Sequence, residues 1–259
     1  MRALLDDLAA EQADLDDLVA DLDDAAWDTP TPAEGWTIRD QIGHLAFFDE
    51  RAALSAADPE AFGDHLNRIL AEGVESLLEG HLQRARSIRP AELLAWWRQA
   101  RRHLIDVMAN VDPDRRVPWY GPPMKASSSV TARLMETWAH GQDVADALGV
   151  TRTPTARLRH IAELGVKTFS WSFRNRGLDV PDRRVRVELR GPGGELWVWN
   201  EEAADSVAGP ALDFCLVVAQ RRHVDDTGLD VEGDVARRWM EVAQVFAGPP
   251  GPGRSPSKR

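Results

Sequence analysis

The sequence predicts a mainly α protein, in which an N-terminal four-helix bundle is followed by a small α+β domain. Apolar residues recur at helical spacing through the first 150 residues. Strict period-2 alternation appears only afterwards, in RVRVELR at 184–190. A Gly-Pro-Gly-Gly turn at 191–194 then leads into a partner strand, ELWVWN at 195–200. These observations place the bundle at 1–150, the α+β domain at 151–247, and a Gly/Pro/Ser-rich, disordered tail at 248–259.

The first helix, about 1–24, carries Leu4, Leu5, Leu8, Leu15, Leu18 and Leu22 on one face and acidic residues on the other. Thr29-Pro30-Thr31-Pro32 and Gly35 break it. Thr37 reads as the N-cap of a second helix running to 57, with Asp40 in the first turn, where the helix dipole favours a negative charge. A helix over 60–83 offers Ile69, Leu70, Leu77 and Leu78 to the core, and one over 91–110 offers Leu93, Leu94, Trp97, Leu104 and Val107. A proline-rich loop at 111–129 follows, ending in three serines that could cap the helix 130–148, which stops at Gly149. In the second domain a helix from 153 to 176 precedes the two strands, and helices at 209–222 and 233–246 follow them.

Composition narrows the function. The chain has 259 residues, 43% hydrophobic and 28% charged, in the range of a globular protein. No run approaches the roughly 20 apolar residues of a membrane helix, and the acidic N-terminus is unlike a signal peptide, so a cytoplasmic protein is expected. A net charge of −11 argues against nucleic-acid binding over the general surface. The single cysteine, Cys215, rules out an internal disulfide framework or a Cys-rich metal centre, and its apolar run, 212–219, predicts a buried structural thiol.

Glu136 and His140 lie four residues apart on one helix face, where Cβ atoms stand about 5–6 Å apart and two donors can share a metal ion. Most such pairs are merely solvated neighbours. His44, flanked by Ile42, Leu45 and Phe47, reads by itself as a core histidine bonded to a carbonyl. Facing helices of a bundle nevertheless commonly build metal sites from such residues, and three protein donors leave a coordination position open. Two imidazoles and a carboxylate suit Zn2+ best, with iron, nickel, manganese and cobalt acceptable. Asp143 could orient an imidazole, and Trp36 and Trp138 could line the pocket or simply pack the core. Tyr120, in the long loop, and Arg221 and Arg222, closing an apolar helix, are candidate catalytic groups; solvated helix-end charges are the alternative reading of the arginines. His65, His81, His103, His160 and His223 lie among charged neighbours and read as surface residues.

Two motifs carry a family resemblance. Gly35-Trp36-Thr37-Ile38-Arg39-Asp40-Gln41-Ile42-Gly43-His44-Leu45 resembles the first motif of the DinB-like metal-binding bundles, and more closely the N-terminal domain of mycothiol-dependent maleylpyruvate isomerase. Glu136-Thr137-Trp138-Ala139-His140, continuing to Gly149, resembles that family's helix bearing a Glu and a His ligand. The resemblance implies that His44, Glu136 and His140 are the metal ligands. It also implies a metal-activated mycothiol thiolate that isomerises a small electrophile by reversible addition, or transfers sulfur to it, and an arginine contributed by the second domain. The segments ALDFCLVVAQRRH at 211–223 and VFAGPPG ending at 251 resemble actinobacterial metal-binding proteins whose tail is grouped with a wyosine-formation domain. The acidic charge and the lack of a Cys cluster weigh against the tRNA modification that this label suggests. The remaining alternatives are a non-catalytic binder of a small ligand or thiol adduct, and a metal that only staples the bundle.

Overall fold

Helix α2 (Ile38–Ala57) is the spine of the N-terminal unit. Its start is set by Thr37, whose backbone N and Oγ1 both donate to Asp40 Oδ2, at 2.9 and 3.0 Å. Asp40 is more than a first-turn acid: it is fully buried and takes both Nε and Nη2 of Arg86, at 2.8 and 3.0 Å. The computed structural model describes residues 1–257, and their side chains except at 72 and 74–79, so Leu77 and Leu78 lie outside the described side chains.

Helices α1 (Arg2–Val19), α5 (Pro90–Met108) and α6 (Ala126–Leu148) complete a four-helix bundle with α2. Leu15, Ile38, Ile42, Leu45, Leu93 and Trp97 form its apolar centre. The region expected as one helix over 60–83 is two, α3 (Pro59–Glu72) and α4 (Val74–Ser87), because Gly73 at φ 94° takes a backbone conformation that no helix continues. Leu70 is exposed rather than core. The expected loop 111–129 holds a short hairpin, β1 (Arg116–Val117) with β2 (Met124–Lys125), and α6 starts at Ala126, placing the three serines inside its first turn.

Buried polar groups stitch this unit together. Asp16 accepts Arg98 and Arg101, Glu11 accepts Arg152, and fully buried Asp49 on α2 accepts Arg133 Nε from α6 at 2.8 Å. Burial pushes the Asp49 carboxyl up, and the adjacent Arg133 opposes that shift.

The chain divides into two compact units, Met1–Arg152 and Thr153–Arg259. In the second, the expected helix 153–176 is α7 (Leu158–Lys167) and α8 (Phe169–Arg174). The two expected strands are β3 (Val185–Arg190) and β4 (Leu196–Trp199), paired antiparallel. Two further strands, β5 (Asp205–Pro210) and β6 (Asp230–Glu232), complete a sheet of order β4-β3-β5-β6 in which β3 and β5 run parallel. Neither was expected: β5 is short and ends in Ala-Gly-Pro, and β6 has three residues. Helices α9 (Ala211–Val218) and α10 (Asp234–Val242) add Phe214 and Trp239 to a core shared with Phe169, Phe173, Val187 and Val207. Cys215 is fully buried on α9, as its apolar run predicts, and its Sγ contacts Leu158 O at 3.5 Å. Residues 248–257 contain no helix or strand; Gly248 and Gly251 carbonyls accept from Asn175 and Arg176, and Ser257 N donates to Asp226.

The buried Asp49–Arg133 pair predicts an asymmetric mutational response. Arg133→Met, which strands a buried carboxylate, should cost about 3–5 kcal/mol in urea unfolding. Adding Asp49→Leu should recover most of that loss. Equal instability of the single and double variants would show that the pair contributes only shape.

Candidate metal centre

The three residues singled out in the sequence meet. One donor atom from each of His44, Glu136 and His140 lies within 4.8 Å of the others, so that a single ion could be reached by all three. Glu136 Oε2 stands 3.2 Å from His140 Nε2, and the His44 and His140 rings are 4.5 Å apart at their centroids. His44 and Glu136 are half-buried and His140 is buried, so the cluster keeps some exposure to solvent.

A chain of hydrogen bonds sets the His140 tautomer. Thr31 Oγ1 donates to Trp36 O at 3.0 Å, so the hydroxyl's remaining capacity is as an acceptor. Gln41 Nε2 donates to it at 2.8 Å, which turns Gln41 Oε1 toward His140. That oxygen accepts from His140 Nδ1, leaving Nε2 to present its lone pair to Glu136. Two electron-rich atoms at this distance call for a cation between them. A second ring proton or a metal ion would serve, and a third donor, His44, within the same reach suits the ion. Two imidazoles and a carboxylate are donor types that three-ligand zinc sites use.

Gln41 was not singled out from the sequence. Its signal was present: it precedes His44 by three residues, one turn along the same face, as a buried amide in a run from Ile38 to Ala46 whose other members are buried except His44. It holds the orienting place at His140 Nδ1 that was considered for Asp143, which is buried.

Two histidines read as surface residues are buried instead. His81, on α4, places Nε2 3.3 Å from His44 Nδ1, and its ring stacks on Phe47 at 5.1 Å. His65, on α3, lies 2.8 Å from the Tyr120 hydroxyl. Charged neighbours such as Asp64, Arg68 and Arg84 are exposed, which a linear reading does not separate from the buried imidazoles beside them. Trp36 stacks on His140 at 5.9 Å and 16°, while Trp138 is a buried core residue. Tyr120 packs edge-on against Phe48, whose ring lies 4.6 Å from that of His44.

Arg221 and Arg222 belong to the second unit, immediately after α9. Each turns a guanidinium Nη1 onto a nearby backbone carbonyl, Ala219 O and Arg221 O respectively, both at 2.7 Å. Burial pushes the thiol of Cys215 well above the ordinary range, so it stays protonated.

Comparison with known proteins agrees with this architecture. A family model described as the mycothiol maleylpyruvate isomerase N-terminal domain matches residues 8–145. Two uncharacterized proteins of Mycobacterium tuberculosis, MT0041 and Rv0036c, are each 48% identical over 249 residues, covering 96% of both chains. Among solved structures, the mycothiol-dependent maleylpyruvate isomerase aligns with a TM-score of 0.58 and 17% identity, over 89% of this chain and 92% of its own. A histidine-to-alanine mutant of that enzyme aligns with a TM-score of 0.59 over the same shares. At this identity the structural likeness is one of fold.

Removing the orienting amide should weaken metal binding without unfolding the bundle. Gln41→Leu is expected to lower zinc affinity about 10–100-fold in a competitive chelator titration. Unchanged affinity would mean that His140 needs no partner at Nδ1.

Proposed function

This chain belongs to the mycothiol maleylpyruvate isomerase N-terminal domain family, and on that premise we propose that it is a metal- and thiol-dependent enzyme acting on a small electrophile, either isomerising it or transferring sulfur to it. The observation that carries this reading is the open cluster of His44, Glu136 and His140 donors within 4.8 Å. Those three residues would hold a divalent ion, zinc best fitting two imidazoles and a carboxylate. When bound, such an ion supplies Lewis acidity and favours the thiolate form of a thiol brought to it.

The chain's own residues define the rest. Gln41 accepts from Nδ1 of His140 and so aims Nε2 at the cluster. Trp36 and Phe48 pack on the imidazoles of His140 and His44. The sole cysteine, buried and protonated, is unsuited to be the nucleophile, so the sulfur has to come from a small thiol. Mycothiol is the thiol named by the family and by the structurally similar enzyme.

In the isomerase form, the thiolate adds to the β-carbon of an activated double bond. A C–S bond forms as the π bond breaks, with the electron pair moving onto the conjugated carbonyl. Rotation about the new single bond and expulsion of the thiolate restore the double bond in the other geometry, with no oxidant or reductant consumed. In the transferase form the adduct is protonated and leaves. No helix among the described residues is long and apolar enough to cross a membrane, and a small-molecule substrate is consistent with the half-open cluster.

The zinc-loaded chain should turn over cis-configured conjugated electrophiles only when mycothiol is present. His44→Ala should lose bound zinc by elemental analysis and lower kcat/KM by more than 100-fold, beyond the roughly 10–100-fold typical of outer-shell losses. Tight adduct binding without turnover would make the protein a binder instead. Unchanged zinc content in His44→Ala would remove His44 from the ligand set.

A further inference from the structure

Arg51 is a second feature of the same helix face. It follows His44 by seven residues on α2, two turns and about 10 Å further along the axis. Its side chain leans back toward the helix N-terminus, with the guanidinium carbon 5.3 Å from the Phe47 ring centroid. Nε is buried and has no acceptor among the described residues. The guanidinium's ion pair with its neighbour Glu50 is long, 3.7 Å from Nη2 to Oε2, and the other oxygen of that carboxylate takes the Trp96 indole at 2.7 Å. A buried donor left without a partner in a native fold calls for an explanation.

Apart from the long pair with Glu50, the groups that feel Arg51's charge do not neutralise it. Burial, then the charges of Arg51 and Arg68, hold the His65 imidazole below its usual range, so the ring is uncharged at neutral pH. Burial pushes the Tyr120 hydroxyl up, so it too stays neutral, paired with His65. Aromatic rings link this cation to the cluster: Phe47, under the guanidinium, lies 5.1 Å from Phe48, which lies 4.6 Å from His44 and 5.8 Å from Tyr120. On a chain of net charge −11, whose general field repels anions, a local cation with an unused buried donor is selective for them.

We propose that Arg51 is a carboxylate-binding residue, anchoring a small conjugated acid whose flat unsaturated body lies along Phe47 and Phe48 toward the His44–Glu136–His140 cluster. The assignment rests on reading that cluster as the place where an electrophile reacts. A guanidinium fork satisfies a carboxylate with two parallel hydrogen bonds, and bringing the orphaned Nε–H, buried in this structure, into that fork requires the side chain to turn toward the acid. Arg51 thereby serves as a specificity determinant within the first unit, independent of Arg221 and Arg222.

The test uses the zinc-loaded full chain and isothermal titration with hexa-2,4-dienoate (sorbate), compared with the uncharged hexa-2,4-dienamide. Sorbate should bind at least tenfold more tightly than the amide. Arg51→Met should erase that preference by weakening sorbate tenfold or more while leaving the amide unchanged, and Arg51→Lys should restore part of it. Circular dichroism and zinc content report that each variant is folded and loaded, and Arg51→Lys carries the comparison if Arg51→Met is not. Sorbate binding that is absent in the wild type, no tighter than the amide, or equal in Arg51→Met overturns the assignment. Mycothiol-dependent turnover, measured on the same preparations, separates the two proposals: turnover without Arg51-dependent acid binding defeats only this one, whereas Arg51-dependent binding without turnover defeats only the enzyme reading.

Discussion

The structure of the N-terminal unit depends on the register between α2 and α6. Two polar contacts pin it: Gln41 Oε1 with His140 Nδ1, and Asp49 Oδ1 with Arg133 Nε. Residue numbers rise along α2 from 41 to 49 as those on α6 fall from 140 to 133, so the helices run antiparallel. The candidate ligand cluster lies along the same seam, His44 on one helix and Glu136 with His140, itself half of one pin, on the other. Apolar ridges alone would tolerate a slip between helices, because Leu, Ile and Ala fill many similar grooves. A buried ion pair and a directed amide do not, since a slip strands a charge and an imidazole. The cost of burying Asp49 and Arg133 is offset by a defined alignment of donors.

Preorganisation continues outward from that seam. The Thr31–Gln41–His140 relay decides which ring nitrogen faces Glu136, and its first member is held by the backbone of Trp36, the residue that also stacks on His140. The strand-like segment before α2 thus acts on the imidazole from two directions. Asp40, next to Gln41, is clamped by Arg86 from the end of α4, so the first turn of α2 is tied to a third helix as well. Gly43 belongs to the same constraint: a Cβ there would stand 2.3 Å from that of Ala85, so glycine lets α4 approach α2 beside His44.

Much of this was legible in the sequence, and for definite reasons. Helices α1, α2, α5 and α6 announce themselves through long apolar periodicity, and the β3–β4 hairpin through alternation around a Gly-Pro-Gly-Gly turn. Glu136 and His140 were visible because helical spacing couples them, whereas His44 needed the motif around it. What stayed hidden depends on contacts distant in sequence. Gln41 and His140 are 99 positions apart, and His44 and His81 are 37 apart. Strands β5 and β6 carry too few alternating residues to register alone and are stabilised by their pairing with β3 and with each other. The break at Gly73 was missed because glycine within a helical pattern is often tolerated, and only its positive φ ends the helix.

The first unit divides its labour between rigid and irregular parts. Cluster residues come from the middles of α2 and α6, the two helices whose register is most constrained, which suits donors that must hold their positions. The walls beyond the cluster come from α3, α4 and the segment carrying Trp119 and Tyr120. There Trp119 stacks on Phe62 at 5.9 Å, and Ser55 holds the segment through the carbonyl of Pro118. Connecting segments tolerate substitution better than bundle interiors. On the proposed function, the donor set would supply the chemistry while the shape and charge of the neighbouring wall would set which molecule reaches it. Arg51 stands at the junction of the two parts, on the rigid helix but facing the wall, and its orientation over Phe47 is inherited from the same register that aligns the cluster.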